Sequence, residues 1–237
     1  MSTTNAARVT GLAYLGLAVS GVIGFLLIRD QLYVPGDAVA TAANLVDREG
    51  LARVGIAVDL AIVGTQAMAA LWFYRLFRPV DSFAAGAVAA FGLVNSVVIL
   101  VATMFSVTAL QVAISEAATS VADPGATSLL LYDLNDAAWG VGALFFGLWL
   151  IPMGWLAWRS GHMPPLLGWI LILGGAGYSL SAFIAYLAPD ASAVTDVLTL
   201  PATVGEFWMI GYLLVRGVRR HDPSAEPSEG VEIEARA

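Results

Sequence analysis

Apolar positions do not alternate along this chain; they run on. Six stretches, 10–28, 54–74, 83–107, 137–158, 166–187 and 198–215, are nearly free of charge and are separated by polar segments. A helix rising ~1.5 Å per residue needs roughly 20 apolar residues to cross a hydrocarbon core of ~30 Å, and each stretch is near that length. The alternation that marks a membrane β-barrel is absent. Helices also satisfy every backbone polar group internally, as lipid demands. The pattern predicts an all-α, polytopic membrane bundle of six transmembrane helices in one domain, 1–220. A polar, acidic tail, 221–237, has too little apolar surface to order itself. The first apolar stretch exceeds the ~7–15 residues of a secretory signal and is read as a retained helix.

Composition agrees with lipid as the solvent. Of 237 residues 59% are hydrophobic and 12% charged, about half the ~25% charge of soluble domains. All 11 basic residues are arginine, and there is no cysteine. Without cysteine there are no disulfides, thiolate metal sites or lipoprotein anchors. Without lysine there is no Schiff base for retinal. His162 and His221 fall outside the apolar runs, so a bundle-held haem lacks its ligands. No phosphate loop or metalloprotease signature occurs. No cofactor and no metal are therefore expected. The basic run 216–220 is too short for nucleic acid and reads as a positive-inside anchor on lipid. The expected partners are the bilayer and a small-molecule or lipid ligand; the oligomeric state is left open. Arg-only, Ala/Gly/Val-rich usage suggests a bacterial chain and the plasma (cell) membrane.

Charge also predicts orientation. With both termini cytoplasmic, eight arginines lie inside: Arg8, Arg75, Arg78, Arg159, Arg216, Arg219, Arg220 and Arg236. Only Arg29, Arg48 and Arg53 lie outside, as the positive-inside rule requires. Ten acids, Glu116 and Asp190 among them, then give the outer face a net charge of −7 against +2 inside. Trp149, Trp155, Trp158 and Trp169 flank the short inner loop and are expected in an interfacial belt.

Polar residues inside the runs are the candidates for chemistry. Glu206 lies ten residues before Arg216, so ~15 Å deep at the helical rise. Such a group costs at least ~2.5–3.5 kcal/mol to insert and marks a functional site by default. Thr203 and Thr199 share its helical face at i−3 and i−7. Asp59 and Gln66 share a face of the second run, Asp59 as a partner of Glu206 or as a helix-start acid. Asn95, with Thr103 and Ser106, makes a polar stripe in the third. Asp133, Asn135 and Asp136 stand just before the fourth, where Asp133 or Asn135 suits an N-cap; a cation site shared with Asp59 is the weaker reading. The second Asp of a prenyltransferase motif is missing, since Trp139 occupies its place, and Tyr132-Asp133 lacks the Gly-x-Gly-Asp of intramembrane proteases. Small residues at Gly16, Ser20, Gly24 and at Ala143, Gly147 read as helix-packing stripes. Gly174, Gly175 and Gly177 suit either a pliable helix or close approach of a ligand to backbone. Pro152 is expected to kink the fourth helix, and Pro164-Pro165 to force a tight hairpin.

Residues 145–169 read FFGLWLIPMGWLAWRSGHMPPLLGW, and the last helix reads EFWMIGYLLVRGVRR from Glu206. The Gly-Leu-Trp-Leu-x-Pro-x-Gly core, the Arg-Ser-Gly-x-x-Pro loop and the closing Glu resemble a family of six-helix bacterial membrane proteins known only as a domain of unknown function. The resemblance spans about residues 8–220. It implies membrane architecture and no activity. One departure is Pro165, where a basic residue is expected. Three roles stay open: a binding or transport protein for a proton or a small amphiphilic ligand, an intramembrane enzyme on an isoprenoid-like substrate with Glu206 or Asp59 as acid, and a structural or regulatory subunit.

Overall fold

The computed structural model describes residues 3–114 and 122–217. The expected tail lies outside the described residues, with Glu116, Arg219, Arg220 and His221. Among the described residues the chain is helical, without strands. The helices are α1 (Thr3–Leu32), α2 (Ala38–Asp47), α3 (Glu49–Phe77), α4 (Ser82–Ile114), α5 (Pro124–Arg159), α6 (Pro165–Leu187) and α7 (Ser192–Val215). All but α2 are long and apolar enough to cross a membrane. The large apolar side chains left exposed, such as Leu26, Met104, Leu173 and Leu200, are those a lipid phase would cover.

The six long helices form a ring. Each packs on the next in chain order, and α7 closes back on α1 along the least tightly packed seam. That seam is shut at one end only. A Cβ at Gly11 would touch Leu213 and Leu214 at 3.0 Å, and one at Gly217 would touch Thr4 at 3.0 Å. Toward the other end Val22 and Phe25 of α1 and Val204 and Phe207 of α7 are exposed.

Glycine lets α5 and α6 approach to backbone contact. A Cβ at Gly154 would lie 2.5 Å from the Gly168 carbonyl oxygen, and one at Gly168 2.7 Å from that of Gly154. Gly174 faces the Ala202 backbone and Gly177 the Leu198 carbonyl. The Gly174, Gly175 and Gly177 cluster is therefore packed against neighbouring helices. Gly161 turns the α5–α6 hairpin at φ 65°, a conformation that favours glycine, and α6 begins at Pro165, where a proline ring is tolerated. The Tyr212 hydroxyl donates to the His162 carbonyl and pins this hairpin to α7. Asp81 accepts the Ala84 and Phe83 amides at the start of α4 and pairs with Arg159 at 2.7 Å. The Ala84 amide, ahead of the other contacts, holds its carboxyl below the usual range.

Two expectations change, and one element is added. Helix α5 starts at Pro124, capped by Asp123, so Asp133 and Asn135 lie inside the helix and cap nothing. The loop after α1 contains α2, capped by Asp37 and seated by buried Thr41 and Leu45. Trp149 is fully buried, packed edge-on to Tyr14 at 5.6 Å and Phe73 at 5.8 Å. It lies more than two turns from Arg159, too deep for the interface. Trp155, Trp158 and Trp169 form the exposed aromatic cluster instead.

Candidate functional site

The ring encloses a cavity of about 550 Å³, lined by α1, α3, α4, α5, α6 and α7. Small residues make the room: Ala18 and Gly21 on α1, and Gly140, Gly142 and Ala143 on α5. From Tyr14 to Phe25 the lining of α1 covers eleven steps, so the space runs about 15 Å along the bundle. Aromatic rings of Tyr14, Phe25, Trp139, Phe146, Tyr178 and Phe207 form much of the wall.

Five of the six sequence candidates line this space: Glu206, Gln66, Asn95, Thr203 and Asp136. Glu206 Oε1 accepts the hydroxyl of Tyr14. Tyr14 is itself clamped edge-on between Phe73 and Trp149, which fixes its direction. Asn95 Nδ2 donates to Gln66 Oε1 at 3.1 Å. Gln66 is fully buried, yet its Nε2 has no partner among the described residues. An amide N–H left unpaired away from water costs about 1–3 kcal/mol, a penalty carried by a residue of the cavity lining. Thr203 stands at the exposed rim beside Phe207. Thr199 takes no part in the lining; its hydroxyl turns back to the Asp196 carbonyl. Ala143, expected as packing, lines the cavity, whereas Gly147 packs against α6.

Asp59 is not with Glu206. It lines a separate chamber of about 40 Å³ with Arg29, Ser106, Tyr132 and Asn135, polar and roomy enough for water. Phe25 and Trp139, edge-on at 4.7 Å, border both spaces and divide them. Arg29 holds the division: it pairs with Asp136 at 2.5 Å and donates to Asn135 Oδ1 at 3.0 Å. Asn135 in turn donates to the Ala102 carbonyl at 2.8 Å and to Ser106 Oγ at 3.0 Å on α4. Asp133 accepts the hydroxyl of Tyr33 at 2.6 Å. Burial, with Asp133 beside it, pushes that phenol up to about 12, so it keeps its proton and donates at neutral pH. With Asp133 and Asp136 committed in this way, the triplet does not gather with Asp59 around one point.

Sequence reasoning missed Tyr14, Arg29 and the π-helical turns at Ile23–Arg29. Tyr14 is counted as apolar inside an apolar run, and Arg29 reads as the first loop residue. The π-helical turns, which recur at functional sites, set Phe25 and Arg29 on the dividing wall; no sequence period announces them.

A family model described as Domain of unknown function (DUF4386) matches residues 9–217. No curated protein and no solved structure matches the chain significantly.

Proposed function

The chain belongs to the DUF4386 family, and on that premise we propose that its multi-pass bundle binds a small amphiphilic molecule taken up from the lipid between α1 and α7. One observation carries the reading. Two carboxyls, Glu206 and Asp136, and two buried amides, Gln66 and Asn95, line a single cavity of about 550 Å³ whose wall is mostly apolar and aromatic. That volume lies within the ~300–1,000 Å³ of small-molecule sites, which pair apolar walls with a few fixed polar groups. Glu206 with Tyr14 forms one polar station and Gln66 with Asn95 another. The exposed rim at Thr203 and Phe207, beside the loose α7–α1 seam, supports lateral entry. A proton or cation path that pairs Asp59 with Glu206 has less support, because those residues line different spaces.

The test uses N-phenyl-1-naphthylamine, which brightens in apolar sites, with the protein in lipid nanodiscs. Saturable binding above empty discs is expected. Gly21→Leu should weaken it about tenfold or more, since a Cβ at Gly21 meets nothing within 4 Å and a larger side chain would grow into the cavity. No saturable binding, or equal binding by the variant, sinks the reading.

We also place the protein in the plasma membrane with both termini cytoplasmic, on the arginine bias. The absence of cysteine makes single-cysteine mapping clean. In intact cells, Asp190→Cys should react with a membrane-impermeant maleimide and Ser82→Cys only after lysis. The opposite pattern would invert the topology.

A further inference from the structure

We propose that the molecule held in this cavity is a lipophilic cation, an amphiphilic amine whose ammonium end meets Glu206. The inference rests on the binding role above and adds the sign of the guest's charge.

Among the described residues, two carboxyl side chains line the cavity, Glu206 and Asp136, and no arginine or histidine does. Asp136 already has its counter-charge in Arg29. Among the described residues Glu206 has none: its one side-chain hydrogen bond there is to the neutral Tyr14 hydroxyl, and no ion pair includes it. A charge in a low-dielectric interior is tolerated when paired and costly alone. An ammonium supplies the missing pair. An anionic head would place like charge beside Glu206, with no cationic side chain on the described lining to offset it.

The wall points the same way. Tyr14, Phe146, Tyr178 and Phe207 border the space around Glu206. Aromatic faces carry negative charge density, so they attract cations and repel anions. The rings also give an alkyl or aryl body its contact area. The volume suits a single-chain or drug-sized amine. Such an amine could come from the membrane or from outside the cell. Mass spectrometry of what co-purifies with the protein tells a resident lipid amine from an empty site open to added amines.

The experiment compares dodecylamine, dodecanol and dodecanoate, which share a chain and differ in head charge. Each displaces N-phenyl-1-naphthylamine from protein in zwitterionic nanodiscs, with concentrations referred to the membrane phase. The amine should displace the probe at a concentration at least about tenfold lower than the other two, and Glu206→Gln should erase that preference. Equal displacement by all three heads, a preference for dodecanoate, or an amine preference that survives Glu206→Gln overturns the proposal and leaves the binding role intact. The wild-type comparison decides by itself if Glu206→Gln does not fold. Probe binding that is absent, or identical in Gly21→Leu, defeats the binding role and this inference together.

Discussion

Gly154→Val is expected to abolish the folded, monodisperse protein. The reason is the nature of what the new side chain would meet. A Cβ at this position falls 2.5 Å from the Gly168 carbonyl oxygen and 2.9 Å from the Ile172 amide nitrogen. These are backbone atoms of a continuous helix and cannot step aside as a flexible side chain can. The helices must separate, and separation also parts Gly147 from Gly175, a turn or two along the same seam. Overpacking alone costs typically 1–3 kcal/mol. Weaker dispersion attraction along the parted seam adds to that, in a bundle where lipid supplies no hydrophobic drive to close helices. The sum, about 3 kcal/mol or more, is a large share of ordinary stability. Val against Gly in helix propensity is a few tenths of a kcal/mol in the other direction and does not change the sign. Fluorescence-detected gel filtration and thermal melting in detergent provide the measurement. A variant with the wild-type elution profile and melting temperature would refute the seam as described. Gly21→Leu is the natural contrast, because open space surrounds Gly21 and that variant should melt no lower than wild type.

The comparison of these glycines shows where sequence reasoning stops. Gly21 and Gly154 read alike along the chain, each a small residue inside an apolar run. Only the crossing geometry separates a cavity wall from a backbone contact. The six spanning helices were legible because long uncharged runs have few alternatives in lipid. Their ends were less so. Helix α5 begins at Pro124, thirteen residues before its apolar run, since nothing in water obliges a helix to stop where the lipid does. Helix α2 was invisible to that reading: ten amphipathic residues cannot span, and its signal is the Asp37 cap and the spacing of Thr41 and Leu45. Within the cavity, Glu206, Gln66 and Asn95 announced themselves because a polar group in an apolar run is expensive. Tyr14, Phe146 and Tyr178 did not, since aromatic rings are equally at home against lipid. Trp149 shows the converse, read as an interface anchor by composition and buried by its depth along α5.

Asn135→Leu should destabilise the protein by about 2 kcal/mol and loosen the wall between the two internal spaces. Leucine keeps the branch at Cγ but is larger, so some overpacking adds to the loss of polar contacts. Asn135 is 3% exposed and makes three hydrogen bonds, two to α4 and one from Arg29. The bonds to the Ala102 carbonyl and Ser106 supply about half of this destabilisation, because interhelical hydrogen bonds in one well-measured bundle average about 0.6 kcal/mol each. Arg29 supplies the rest. Its side chain is 16% exposed, and a charged donor that loses a covered acceptor costs more than a neutral one. Arg29 keeps Asp136, which limits the loss. Asn135→Asp separates the contributions: it retains an acceptor for Arg29 but turns a carboxylate toward the Ala102 carbonyl. It should fall between wild type and Asn135→Leu in melting temperature. The structural consequence follows from the chain connection. Arg29 ends the π-helical turns that carry Phe25, and Phe25 against Trp139 is what divides the Asp59 chamber from the Glu206 cavity. With Arg29 held on one side only, that ring pair loses its anchor. In an Asp59→Cys background, the only thiol in the chain should then react faster with a small methanethiosulfonate when Asn135 is leucine. A melting temperature and a labelling rate both unchanged by the leucine would mean that Asn135 holds neither Arg29 nor the wall.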